Sequence, residues 1–149
     1  MSAPGCRAAL SQNIEGELWA KFMCNCALNA VSALGQATYG RITEMTEARR
    51  LVEAVVEEVL AVAQAARVVL PGMADTKMAL AAVLQLAKQL AGARSSTAQD
   101  LRRGKLTEID SLNGFIARRG SELGVPTPIN QALFTLIKMA EGGSLGQQK

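Results

Sequence analysis

Histidine is absent from all 149 residues. Ser-His-Asp and Cys-His catalysis within the chain are therefore excluded, as is any histidine-based metal site. Aromatic residues make up only 3%, so a nucleic-acid surface built on base stacking has little to work with. Ala, Leu, Val and Met must fill the core instead. Cysteine is limited to Cys6, Cys24 and Cys26. An odd count without a recognisable secretory signal predicts a reducing, cytoplasmic setting and not a disulfide framework. On a helix Cys24 and Cys26 would point about 200° apart, so they read as small core residues and not as a metal pair. No window reaches the ~20 uninterrupted apolar residues of a membrane span. The run 51–70 comes closest, and Glu53, Glu57 and Glu58 interrupt it.

What is present is a core-forming composition. Hydrophobic residues make up 49% of the chain, and net charge is a mild +3. This length fits one ordinary domain. Abundant Ala and Leu with few β-branched residues favour helix over sheet. The densest basic group, Arg102, Arg103, Lys105, Arg118 and Arg119, reads as a solvated face and predicts no nucleic-acid partner. The tail contains Gly142-Gly143-Ser144-Leu145-Gly146, a G-x-S-x-G match. With no strand before it and no histidine anywhere, it carries no catalytic meaning. No P-loop or G-x-G-x-x-G after a strand occurs.

Periodicity and breakers predict an all-α, multi-helix domain. Residues 1–13 are expected to form an irregular lead-in, followed by a long helix over 15–34. Gly35 and Gly40 bracket a turn. A second helix is expected from Thr46, as N-cap, to about Val69, with Leu51, Val55, Val59 and Val62 inward, ended by Pro71-Gly72. A third covers 75–90 and a short one 97–103. Thr107, with Asp110 in a capping-box arrangement, opens another that carries Ile109, Leu112, Phe115 and Ile116 inward and ends at Gly124. Pro128 starts the last helix, which stops before Gly142-Gly143 and leaves 142–149 as a flexible tail.

The first long helix holds an anomaly. Lys21, Asn25 and Asn29 recur every four residues in ELWAKFMCNCALNAVSAL. Each such step drifts only roughly 40° around a helix, so the amine and both amides share one face. Buried amines and amides are costly without partners, and this spacing predicts the lining of a site for a polar ligand. A second polar density lies in ARSSTAQDLRRGKLTEIDSLNGFIARRGSELGVPTPIN. There Ser96 falls at a helix start suited to a carboxylate ligand, and Glu108 falls in a first helical turn. The bland alternatives are a snorkelling Lys21, amides that bond between helices, and a Glu108 that serves only a helix start.

The order ELWAKF-x-x-N-x-x-x-N, SS-x-x-QD-x-x-x-G-x-x-TEID-x-x-NG, G-V-P-T-P-x-N resembles the C-terminal domain of the ketopantoate reductase (2-dehydropantoate 2-reductase) family over residues 10–141. The resemblance implies an all-α fold like the C-terminal domains of 6-phosphogluconate dehydrogenase-type and ketopantoate reductases, over 14–141. It implies an N-terminal Rossmann domain that binds NADPH and is missing here, so that this chain alone binds no cofactor and is inactive. The implied partners are that domain, in cis or in trans, a 2-oxo acid substrate and a second copy in a dimer. By motif matching Lys21 takes the place of the catalytic lysine, Asn25 and Asn29 of substrate-binding asparagines, and Ser96 of the serine that holds the substrate carboxylate. Glu108 takes that of the acidic residue paired with the lysine. Asp100 falls at the QD position, whose role is mainly structural, and Asn113-Gly114 reads as a packing contact. Tyr39 stands where some members carry a further asparagine, which leaves room for a different 2-oxo acid. A non-enzymatic helical interaction module is the other open reading.

Overall fold

One long helix organises the domain. The computed structural model describes the backbone over residues 4–146 and side chains over 13–142. Its helices are α1 (Pro4–Gly35), α2 (Tyr39–Glu44), α3 (Thr46–Ala65), α4 (Thr76–Gln89), α5 (Ser96–Arg102), α6 (Asn113–Leu123) and α7 (Pro128–Gly146), with a 3₁₀ turn at Ile109–Ser111. No strand occurs among the described residues, as the all-α expectation requires. α1 packs on α3, α5, α7, α4 and α2, while α6 lies on α7. Ala27, Ala30 and Ala33 are buried on α1, and their small side chains let neighbouring helices approach closely. Around them Met23, Leu28, Ile42, Val52, Val55, Val56, Val59, Val62, Ile109, Ile116 and Ile137 fill the core. Each side chain of this size contributes about 1.5–3 kcal/mol on full burial.

Several boundaries differ from expectation. α1 begins at Pro4 and not near Glu15, so the irregular lead-in is wrong over residues 4–13. Proline suits a first helical position, and Ala8, Ala9 and Leu10 favour helix over the stretch that follows. Residues 1–3 lie outside the described residues. The turn expected between Gly35 and Gly40 contains the start of an extra helix, α2, capped by Thr38, whose hydroxyl oxygen accepts from the Arg41 N–H. The free N–H groups of Tyr39 and Gly40 donate to the Ala93 and Ala91 carbonyls in the turn after α4. A short helix thus gains outside partners for its orphan donors.

Met45, in extended conformation, is the N-cap of α3 in place of Thr46. α3 stops at Ala65, short of Val69, because Arg67 turns into the left-handed region (φ 61°) and the Val68 N–H closes onto the Ala63 carbonyl. Leu51, expected inward, is only half-buried, and Val52 takes its place in the core. The helix expected from Thr107 is interrupted. The 3₁₀ turn ends at Leu112 (φ −109°, ψ −104°), and α6 starts afresh at Asn113. Gly124 does end α6, with φ 73°. α7 runs through Gly142-Gly143 to Gly146. Each glycine costs a helix about 1 kcal/mol against alanine, which weakens it without forbidding it. The rest of the expected tail, 147–149, lies outside the described residues.

Candidate functional site

Two polar bonds seat the start of α5 on α1. The Ser95 hydroxyl donates to the Asn29 carbonyl (2.9 Å), and the Ser95 N–H donates to Ser32 Oγ (3.1 Å). The same Ser95 oxygen caps α5 by accepting from the Ala98 N–H (3.0 Å). Ser96, the first residue of α5, is exposed beside this anchor. A further bond seats α6 a turn earlier on α1, where Asn113 Nδ2 donates to the Cys26 carbonyl (3.1 Å). Near the N-terminal end of this region Trp19 and Phe22 of α1 meet Phe115 of α6 edge to face, with ring centroids 6.0 and 5.6 Å apart. Leu18, Trp19, Phe22, Ser111 and Phe115 line a hollow of about 330 Å³ between α1 and the 108–115 segment.

The expected polar stripe is on one face but is not buried throughout. Lys21 and Asn25 are exposed, whereas Asn29 is only 7% accessible. The Tyr39 hydroxyl donates to Asn29 Oδ1 at 3.4 Å, a long bond, and half-burial raises the pKa of that phenol. Ile14 and Leu18, 57% and 62% exposed, continue the stripe towards the start of α1. Glu108 is exposed immediately before the 3₁₀ turn. The structure therefore sets the start of α5, with Ser96, against α1 at Asn29, whereas the segment of Glu108 packs on α6 and α7 and faces α1 across the hollow at Ser111. It does not join Lys21 and Glu108, which form no ion pair among the described residues. Water solvates both groups, and an exposed pair gains little by closing.

Sequence reasoning missed the polar groups that hold this region together. Glu58 of α3 accepts from the Ile129 and Asn130 N–H groups (2.8 and 2.9 Å) and from Asn130 Nδ2 (2.7 Å), which caps α7 with a carboxylate. Asn130 Oδ1 in turn accepts from Asn113 Nδ2 (2.9 Å). In the sequence Glu58 read only as a charge that breaks an apolar run. Asn113, read as a packing contact, is fully buried and links α1 to α7. The expected capping box is absent, because Thr107 Oγ1 accepts from the Ile109 N–H and Asp110 pairs with Lys138. Burial raises the thiol pKa of Cys24, and of Cys26 further, as expected of packed cysteines. Among the described residues no group of three or more His, Cys, Asp or Glu could hold a metal, and no helix is long and apolar enough to cross a membrane.

Residues 13–141 match the family model described as ketopantoate reductase PanE/ApbA, C terminal. The chain is 42% identical over 137 residues to the 2-dehydropantoate 2-reductase of Pyrobaculum aerophilum, covering 92% of this chain and 47% of that protein. The corresponding protein of Archaeoglobus fulgidus is 32% identical over 139 residues, covering 93% and 45%. The chain thus spans about half the length of the curated relatives it matches. Among solved structures, a PanE/ApbA family ketopantoate reductase from Ralstonia eutropha JMP134 superposes with a TM-score of 0.81 at 44% identity, over 89% of this chain and 43% of that one. D-mandelate dehydrogenase, in a ternary structure with NADH and anilino(oxo)acetate, gives 0.81 at 26% identity, over 89% and 42%.

Proposed function

Since this chain belongs to the ketopantoate reductase C-terminal domain family, we propose that it is the substrate-binding and catalytic half of an NADPH-dependent 2-dehydropantoate 2-reductase, which makes (R)-pantoate for pantothenate synthesis. The described residues contain no strand, hence no strand–turn–helix of the kind that cradles a dinucleotide. The cofactor, which supplies the hydride, belongs to a nucleotide-binding domain in cis or in trans. Ile14 and Leu18 give that domain an apolar surface to dock on.

This chain's own residues then bind and protonate. Lys21 donates a proton to the carbonyl oxygen as negative charge develops there, with its ammonium stabilising that charge. Asn25 and Asn29 offer amides that can donate and accept to the substrate's polar groups. Ser96 holds the carboxylate. Glu108 turns towards Lys21 once the docked domain and substrate exclude water from between them.

The observation that carries this reading is the polar stripe itself. The stretch 18–34 of α1, otherwise almost all apolar, presents Lys21 and Asn25 to solvent, in line with Asn29, and Ser95 fixes Ser96 at the end of that line. Assembly of the chain with a nucleotide-binding domain, followed by NADPH oxidation with 2-dehydropantoate, tests it. Turnover is expected from the assembly and none from the chain alone. An assembled protein that binds NADPH yet leaves 2-dehydropantoate untouched would contradict the substrate. Tyr39 against Asn29, and the likeness to D-mandelate dehydrogenase, favour a second reading in which another 2-oxo acid is reduced. A panel of 2-oxo acids in the same assay separates the two.

A further inference from the structure

Glu108 lies in a short segment that is fixed to α7 on both sides of it. On one side, the Thr107 N–H and hydroxyl both donate to Glu141 Oε1, at 3.1 and 2.7 Å. The same hydroxyl oxygen accepts from the Ile109 N–H (3.2 Å), which spans Glu108. On the other side, Lys138 Nζ pairs with Asp110 Oδ2 at 3.2 Å and with Glu141 Oε2 at 3.2 Å. The ring Thr107–Glu141–Lys138–Asp110 is thereby closed. The Arg118 guanidinium adds a bond to the Asp110 carbonyl (2.9 Å).

Glu141 is only 3% exposed. A carboxylate at that depth is costly unless it is paired. Here Thr107 donates two hydrogen bonds to Oε1, while Oε2 accepts no hydrogen bond among the described residues and has only the Lys138 ammonium as its ion-pair partner. Ile109 is buried in the core, Thr107 and Asp110 are tied, and Glu108 alone of this stretch has an exposed side chain without a bond. Three restrained neighbours fix where that one carboxylate can reach.

We infer that Glu141 and Lys138 of α7 are positioning residues for Glu108, holding its backbone so that its carboxylate is presented on the face shared with Lys21. This rests on the reading of Glu108 as the acid of the reductase site. Neither α7 residue touches substrate. They act through the turn, as outer residues that orient an inner group do.

A double-mutant cycle in the chain assembled with its nucleotide-binding domain tests this, with 2-dehydropantoate and NADPH as substrates. Glu141→Leu is expected to lower kcat about tenfold to a hundredfold, the usual effect of a misplaced reacting group, with KM for NADPH unchanged. Glu141→Gln, which keeps the acceptor for Thr107, recovers most of the rate. In a Glu108→Gln background Glu141→Leu costs nothing further, because there is no carboxylate left to place. Lys138→Met, at an exposed position, shows the same dependence on Glu108 with a smaller loss, and it stands in should Glu141→Leu fail to fold. Equal losses in both backgrounds would mean that the ring serves only the fold, and would overturn the inference. Normal rates for Glu141→Leu and Lys138→Met beside a slow Glu108→Gln overturn it alone. A normal rate for Glu108→Gln itself removes the reading of Glu108, and the inference with it.

Discussion

Two sets of polar side chains lie against α1, and their surroundings are opposite. One is the chain Glu58–Asn130–Asn113–Cys26 carbonyl, closed within the domain, with Asn113 and Asn130 fully buried. The other is Lys21, Asn25, Ser96 and Glu108, all exposed and without ion pairs among the described residues. Each draws on an apolar helical stretch, for Lys21, Asn25 and Glu58, and on the polar segment 93–130, for Ser96, Glu108, Asn113 and Asn130. Partnership separates them. Polar groups that join helices find most of their donors and acceptors inside the chain, as burial demands, although the buried Asn113 Oδ1 has no partner among the described residues. Those left open are free for something the chain does not contain. Asn29 stands between the sets, buried like the first but in line with the second.

The largest effect should come from the open set. Lys21→Ala in the assembled enzyme is expected to cut turnover by about 10²–10⁴, while the melting temperature of the chain stays where it was. A rate near normal would remove Lys21 from the chemistry. In the closed set the expectation is reversed. Asn113→Ala leaves the Asn130 Oδ1 and Cys26 carbonyl acceptors without their buried donor, and should cost about 2–4 kcal/mol in denaturant unfolding. Its neighbour Gly114 should tolerate alanine poorly. A Cβ there would lie 2.8 Å from Phe134 Cε1, and overpacking of this kind costs about 1–3 kcal/mol. A Gly114→Ala protein as stable as the parent would show that Phe134 can move aside freely.

How far this division could be read from sequence depends on the residue. Lys21, Asn25 and Asn29 were legible as one face, since four-residue spacing on a helix fixes direction. Their exposure was not, because it depends on which helices cover α1 and which do not. Glu58 could not be distinguished from Glu53 and Glu57 by spacing, and only the arrival of the α7 N-terminus gives it a task. Thr107 and Asp110 fit a capping box, yet the buried Glu141 and exposed Lys138 compete for both and win. Most helix ends at Gly and Pro were legible for a local reason, as at Gly124, where φ is 73°. The end of α3 was not, because it turns on a positive φ at Arg67 that an arginine does not announce.

The smallest expected effect sharpens the comparison at its edge, where the ring beside Glu108 is partly exposed to solvent. Donation from its ammonium to Asp110 first, and its pairing with Glu141 second, raise the pKa of Lys138. A lysine whose folded pKa lies above its unfolded one contributes stability that is fully present below the unfolded value and is lost as pH rises through the folded value. Thermal melts should therefore show a slight extra alkaline loss above the ordinary lysine range, reduced in Lys138→Met. An identical alkaline limb in both proteins would mean that these bonds do not persist in solution.

The contrast between the two sets is tested most directly by the side-chain amide NMR signals of Asn25, Asn29, Asn113 and Asn130 in the assembled enzyme, followed as 2-dehydropantoate is added with NADP⁺ bound. The amides of Asn25 and Asn29 are expected to shift in a saturable way while those of Asn113 and Asn130 stay in place. Saturable movement of Asn113 and Asn130 with Asn25 and Asn29 unmoved would contradict the account.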